Sequence, residues 1–245
     1  MASLTGKVAI VTGSSRGIGR AIAERLGREG AFVVVTYVRS ANKAEDVVAA
    51  ITACGSQAIA VQADMGQRAD IGQLFQTTLQ RFGRLDILVN NASTFLAKPV
   101  ADIREEDYDA LFAVNSRGTL FACQEAVWHM ADGGRIINIS SMGTALGLPR
   151  VALYSGSKAA VEQLTKSLAH EVADRGITVN TVSPGYTATD MLNPDPAVRE
   201  ARAQLSPFRR VGQPEDIAEV VAFLVSDEAR WVTGQNIRAT GGMVM

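Results

Sequence analysis

Lys7-Val8-Ala9-Ile10-Val11-Thr12-Gly13-Ser14-Ser15-Arg16-Gly17-Ile18-Gly19 stands near the start of the chain and reads as strand, turn and helix start in one stretch. Residues 7–11 form a short run of strand length, rich in β-branched side chains. Gly13, Gly17 and Gly19 permit a tight turn and let a ligand come close to the backbone. From Ile18 a helical pattern begins, with Ile22 and Leu26 four residues apart. A helix N-terminus behind a glycine turn presents free N–H groups and partial positive charge to an anion such as a pyrophosphate. The spacing Gly-x-x-x-Gly-x-Gly is not the commoner dinucleotide fingerprint, so the loop alone leaves a plain glycine turn open. Its place behind the first strand favours the phosphate cradle, with Ser14, Ser15, Arg16 and Ile18 as its other members.

The same alternation continues outward. Strand-like runs fall at residues 32–35, 58–61, 85–89, 135–139 and 177–180. Between and around them, helical patterns fall at residues 18–28, 41–54, 71–82, 107–114, 119–130 and 153–172. Strands with little polar alternation are buried on both faces, which calls for a parallel sheet covered by helices on each side. Right-handed crossovers make this a doubly wound α/β fold of Rossmann type, expected to occupy residues 1–245 as one domain. Residues 183–210, with four prolines, are the least regular stretch before the helix that Pro214 opens. A long insertion after the carboxyl end of a strand suits a substrate lid, placed at about 186–210.

Of 245 residues, 47% are hydrophobic and the net charge is −1, which disfavours a nucleic-acid surface built on a basic stripe. No apolar run approaches the ~20 residues of a bilayer span, and no secretory leader is evident, so a cytoplasmic location is expected. Cys54 and Cys123 read as buried free thiols, and with His129 and His170 they give no metal-ligand spacing. No metal is therefore expected.

Enzymes that take NAD place a carboxylate ~20 residues beyond the glycine loop, on the ribose 2′-hydroxyl. Here Val35-Thr36-Tyr37-Val38-Arg39-Ser40 has none. Arg16 and Arg39 instead suit the 2′-phosphate of NADP, with Tyr37 beside it. Asp64, followed by Met65, suits either the adenine amino group or a helix N-cap.

Tyr154-Ser155-Gly156-Ser157-Lys158 puts a phenol and an ammonium four residues apart on one helix face. An ammonium close by stabilises a phenolate and lowers its pKa from ~10. Chance also produces such pairs. Here, however, Thr12-Gly13-x-x-x-Gly17-x-Gly19, Asn90-Asn91-Ala92, Asn115, Ser141, Tyr154-x-x-x-Lys158 and Pro184-Gly185 follow in order. In that order and spacing the whole chain resembles the short-chain dehydrogenase/reductase family.

The resemblance implies a seven-stranded, mostly parallel sheet and reversible NADP(H)-dependent reduction of a ketone or 3-oxo group to a secondary alcohol. It implies that Tyr154 is the acid in reduction and the base in oxidation. Lys158 would lower its pKa and hold the nicotinamide ribose, Ser141 would bond the substrate oxygen, and Asn115 would hold a water leading to Lys158. Asn90, Asn91, Ala92 and Ser93 would line the cofactor, with Pro184, Gly185, Thr187 and Thr189 at its nicotinamide end. Both threonines also read as loop-stabilising hydroxyls. Ser93 departs from the family's usual glycine and either crowds the nicotinamide or adds a hydroxyl. Phe95, Leu146, Leu148, Tyr186, Met191 and Leu192 suit a hydrophobic or aromatic substrate, or pack the lid.

The closest likeness within the family is to 3-oxoacyl-carrier-protein reductases and related ketoreductases. The stretch Met130-Ala131-Asp132-Gly133-Gly134 lacks the basic residues that suit an acidic carrier, which favours a small-molecule ketone. A non-catalytic NADP-binding sensor or scaffold is the rival from another class. The family habit also implies a homotetramer built on the two long helices, with residues 234–242 supplying a last strand at a subunit contact.

Overall fold

The computed structural model describes residues 4–192 and 194–244. The first half of the chain alternates β1 (Val8–Val11), α1 (Gly17–Arg28), β2 (Phe32–Tyr37), α2 (Ala41–Ala53), β3 (Ala58–Gln62), α3 (Arg68–Phe82) and β4 (Ile87–Asn90). Then come α4 (Glu105–Phe112), α5 (Thr119–His129), β5 (Arg135–Ile139), α6 (Ala152–Glu171) and β6 (Thr178–Pro184). The chain finishes with α7 (Pro196–Ala203), α8 (Pro214–Val225) and β7 (Asn236–Ala239).

The seven strands make one sheet in the order β3-β2-β1-β4-β5-β6-β7, and every pairing is parallel. Strand alternation divides the core. Ala9 and Val11 point to a layer shared with Ile22 and Leu26 of α1, Val47 of α2 and Val221 of α8. Ile10 points the other way, to Leu74 of α3, Ala122 of α5 and Leu168 of α6. The strand order reverses between β1 and β4, so their carboxyl ends open the crevice where doubly wound sheets take ligands.

The structure adds features that the periodicity leaves out. A single π-helical turn, Ala113–Gly118, joins α4 to α5, where the sequence predicts two separate helices. Gly118 sits where any Cβ would lie 2.2 Å from the Met65 carbonyl oxygen, so only glycine lets this turn press on the loop after β3. Helix α7 lies inside the stretch read as irregular. Asp195 caps it by accepting from Ala197 N at 2.9 Å, and Pro196 fills its first position. Cys123 is buried as expected, its thiol pushed up to about 12 by burial, but Cys54 is exposed at the end of α2.

Candidate active site

The turn after β1 is held from two sides. Thr36 Oγ1 accepts from Gly13 N at 2.8 Å, and Ser14 Oγ accepts from Thr36 N at 3.0 Å while donating to Val11 O at 2.6 Å. From β4, Asn91 Nδ2 donates to the carbonyls of Thr12 and Gly13, and Thr12 Oγ1 accepts from the backbone N–H of Asn91 and of Ala92. A Cβ on Gly13 would lie 2.9 Å from Ala92 Cα, and one on Gly19 would lie 2.4 Å from Asn91 Nδ2. Asn91, Ala92 and the glycines therefore form one surface, while the Ser14 hydroxyl is buried and committed inside the turn rather than turned to a phosphate. Helix α1 starts at Gly17 without a side-chain cap and without an acidic residue in its first turn. Its N-terminal N–H groups are left for an anion.

At the adenosine end Arg39 is exposed and has no partner among the described residues. Arg16 is exposed too, but its guanidinium pairs with Asp190 at 3.0 Å. Of the two arginines only Arg39 is unpaired. Asp64 Oδ1 accepts from Gly66 N at 2.8 Å, closing a turn. Helix α3 starts at Arg68 with Gln67 in the cap position, so Asp64 is not its N-cap. These residues fit a dinucleotide with a 2′-phosphate: an uncapped helix start for the pyrophosphate, a glycine surface with no room for side chains, and a free cation without a competing carboxylate.

The candidate catalytic groups lie where the carboxyl end of β5 meets α6. Ser141 Oγ accepts from Gly143 N at 3.1 Å, which leaves its proton free to donate. The Tyr154 hydroxyl lies near the Ser141 and Ser93 hydroxyls. The phenol is raised above its ordinary value chiefly by burial, against which the Ser141 and Ser93 hydroxyls pull it down. Phe95 meets the Tyr154 ring edge-on at 5.0 Å.

Lys158 corrects an expectation. The sequence places its ammonium where it acts on the phenol; in the structure Nζ donates to Ile139 O at 2.9 Å, and its charge is not among the influences on Tyr154. Helix spacing fixes the direction of Cβ but not the end of a four-carbon stem, and a buried ammonium turns to the nearest carbonyl. Burial pulls Lys158 down to about 8.

Asn115 is held entirely by protein groups. Its amide donates to Thr94 O and Ser157 Oγ, each at 3.0 Å. Its Oδ1 accepts from Thr94 N at 2.9 Å and Ser93 Oγ at 3.1 Å. Every polar atom of the side chain is thus committed to protein groups, and the backbone carbonyl accepts from Thr119 Oγ1 at 2.9 Å.

A family model described as enoyl-(acyl-carrier-protein) reductase matches residues 13–244. An uncharacterized oxidoreductase of Methylorubrum extorquens is 49% identical over 99% of this chain and 100% of its own length. The chain belongs to the short-chain dehydrogenase/reductase family. The hydroxynaphthalene reductase-like protein Arp2 of Metarhizium majus is 44% identical over 99% of this chain and 96% of its own length. Among solved structures, the angucycline C-6 ketoreductase LanV with bound NADP superposes with a TM-score of 0.95 at 44% identity, covering 99% of this chain and 97% of that one. A further LanV structure holds NADP and rabelomycin, with a TM-score of 0.92 at 42% identity, covering 99% of this chain and 98% of that one.

Against the short-chain dehydrogenase/reductase pattern, one neighbour of the site escapes notice in the sequence. Glu162 of α6 accepts from Ser140 Oγ at 2.7 Å, Thr144 Oγ1 at 2.6 Å and Ser183 Oγ at 3.4 Å. One carboxylate oxygen thus ties both flanks of Ser141 to the end of β6. Its only sequence signal is a charged residue one helical turn beyond Lys158. Past β6, Gly185 is pressed on Thr240, a Cβ there lying 2.9 Å from Thr240 Cα. Thr187 Oγ1 donates to Gly185 O at 3.0 Å, which makes it a loop-stabilising hydroxyl. Thr189 lies 3.3 Å from where Gly17 would carry a Cβ, so residues 186–192 lean over the glycine turn. Arg202 of α7 stacks on the Tyr186 ring at 4.4 Å. Phe95 and Met191 keep about half their surfaces exposed, and Leu146, Leu148 and Leu192 are partly exposed.

Proposed function

We propose that this family member is an NADPH-dependent ketoreductase for hydrophobic or aromatic ketones, reversible to alcohol oxidation. The observation that carries it is the Ser141 hydroxyl, whose proton is left free because Oγ accepts from Gly143 N–H, beside the Tyr154 phenol that it makes more acidic. Two hydroxyl donors then converge on one point beside the glycine surface, the arrangement a developing alkoxide needs. Ser141 polarises the substrate oxygen, and Tyr154 delivers a proton from its hydroxyl to that oxygen. The bound dinucleotide supplies the hydride. Lys158, buried at the end of β5, keeps positive charge near the ribose end of the site and Asn115 braces Ser93 and Ser157 around the phenol. Asn91, Ala92, Gly185 and Thr189 exclude water from the nicotinamide side, and Arg39 takes the 2′-phosphate.

The hydroxynaphthalene reductase-like relative, by name, and the exposed faces of Phe95 and Met191 support an aromatic ketone over a carrier-bound acyl chain. Loss of NADPH absorbance with a panel of aromatic ketones, β-ketoacyl thioesters and sugars tests this. Turnover of β-ketoacyl thioesters alone would favour the carrier-protein enzyme. Tight NADPH binding with no turnover on any of them would favour the sensor.

Arg39→Asp is expected to lower kcat/KM for NADPH by about tenfold or more, as lost charge-assisted bonds do. In the wild type the NADPH:NADH ratio of kcat/KM is expected to exceed about ten on the same reasoning. A wild type that prefers NADH overturns the assignment.

The whole chain serves as one cofactor-binding domain, with residues 186–210 over its mouth. Among the described residues no helix is long and apolar enough to cross a membrane, and we place the protein in the cytoplasm. Leu120 and Trp128 of α5 are 46% and 58% exposed, and Trp231, just before β7, is 96% exposed. Such faces favour association of copies as a homotetramer. Sedimentation equilibrium should give four times the chain mass; a monomer at micromolar concentration would refute it.

A further inference from the structure

We propose that Glu162 is a positioning residue for Ser141: its carboxylate fixes the segment that carries Ser141 to the helix that carries Tyr154. The inference rests on Ser141 and Tyr154 being the pair that meets the substrate oxygen in the reaction above. Those two groups come from different elements. Ser140 N donates to Val182 O at 2.8 Å. Past that bond the chain leaves the sheet and makes a short 3₁₀ turn, Met142–Thr144. Across from it, Tyr154, Lys158 and Glu162 follow at four-residue intervals along one face of α6. Lys158 Nζ donates to Ile139 O at 2.9 Å, ahead of Ser141. Glu162 Oε1 reaches further along the segment. It accepts from Ser140 Oγ at 2.7 Å and from Thr144 Oγ1 at 2.6 Å, one on each side of Ser141.

A carboxylate oxygen can only accept, so the direction of both bonds follows from the residue types. Each hydroxyl has a second acceptor nearby, and for each the carboxylate is closer. Ser140 Oγ stands 3.4 Å from Lys158 O, and Thr144 Oγ1 stands 2.9 Å from Ser141 O. The Thr144 proton therefore lies between Glu162 and the backbone of Ser141 itself. Both carboxylate bonds are charge-assisted, about twice as strong as neutral ones. Ser140 is buried and Glu162 half-buried, so water competes poorly for them. The segment is seated closely on α6: a Cβ on Gly143 would stand 3.0 Å from Ser155 Oγ. Ser141 must place its hydroxyl on the same oxygen that Tyr154 reaches, and a misplacement of about 1 Å in such an arrangement costs on the order of a hundredfold in rate. Glu162 supplies the two short bonds that hold the segment in register with the helix.

The test compares Glu162→Ala with Glu162→Gln, whose side-chain carbonyl can still accept from both hydroxyls. In Glu162→Ala, kcat for ketone reduction is expected to fall at least about tenfold while the NADPH dissociation constant stays within about twofold, because the glycine turn and Arg39 are untouched. Glu162→Gln should recover all but about threefold of that loss, the difference between a charged and a neutral acceptor. On a Ser141→Ala background, Glu162→Ala should cost less than about twofold more, since its effect passes through Ser141. A full additional loss on that background, or an unchanged kcat in Glu162→Ala alone, overturns the proposal. Amide hydrogen exchange followed by NMR gives a second arm that needs no turnover. Gly143 N–H, bonded to Ser141 Oγ at 3.1 Å, should exchange at least about tenfold faster in Glu162→Ala and near the wild-type rate in Glu162→Gln. Should Glu162→Ala fail to fold, Thr144→Val keeps the side-chain shape without the hydroxyl, and at least about a threefold loss of kcat with faster Gly143 exchange is expected. Gly143 exchange that does not move overturns the proposal. Faster Gly143 exchange in the variants of a protein that reduces no ketone would uphold Glu162 as the holder of Ser141 and reject the ketoreductase reading.

Discussion

Tyr154→Phe is expected to lose about a thousandfold or more of kcat in ketone reduction, the scale at which a positioned acid contributes. The substitution removes the phenol hydroxyl and leaves the ring, with its edge-on contact to Phe95, in place. Nothing in the glycine turn, in Asn91 or at Arg39 touches that hydroxyl, so NADPH affinity should stay within about twofold. Stopped-flow or steady-state NADPH absorbance measures the first quantity, and quenching of NADPH fluorescence the second. A variant keeping a tenth of wild-type turnover would remove Tyr154 from the chemistry. A variant that neither turns over nor binds NADPH would mean that the phenol holds the site together.

Lys158→Met is expected to do two opposite things. Burial brings Lys158 from 10.5 down to about 8. Between those values the unfolded chain carries a proton that the folded one has lost, so this group makes stability rise with pH from about 8 to about 10.5. Below about 8 the folded protein bears a buried ammonium, at a cost of about 3 kcal/mol from the size of the shift. Methionine removes that cost but leaves the Ile139 carbonyl without its donor, a loss of about 1 kcal/mol. The apoprotein at pH 7 should therefore gain about 2 kcal/mol, or about 5 °C in Tm, and the gain should fade as the pH approaches 10. Ketone reduction should fall at least about a hundredfold, because the buried positive charge is gone. Scanning calorimetry across pH checks the first effect. A lower Tm at pH 7 would show that the ammonium is a net structural asset.

Periodicity was sufficient for the sheet and its helices because burial on both faces writes itself into unbroken apolar runs such as Ala9 to Val11 and Phe32 to Val35. It failed where local hydrogen bonding decides. Helix α7 rests on an Asp-Pro cap amid four prolines, and its exposed face carries no apolar stripe to read. The π-helical turn depends on what Gly118 lets approach, a tertiary fact. In the site, residue identity revealed which groups gather but not which way they point. Lys158 turned to Ile139, the Ser14 hydroxyl turned inward to Val11 and Thr36, and Arg16 was taken by Asp190 from across the mouth. Glu162 is legible only once Ser140, Thr144 and Ser183 are seen to converge on it, since Ser140 and Thr144 come from the segment after β5 and Ser183 from β6, well removed from it in the chain.

The three bonds that join Thr36 to Gly13 and Ser14 fasten the turn after β1 to β2 just before Tyr37 and Arg39. The strand tip proposed to meet the adenosine ribose is thereby anchored just upstream of Tyr37 and Arg39. Side chains at positions 37 to 39 can then be exchanged without unsettling the turn, whereas an alteration of Thr36 would release the Gly13 N–H from its hydroxyl. Anyone recoding this enzyme for the unphosphorylated coenzyme has an independent dial at Arg39 and a fixed mounting one step behind it.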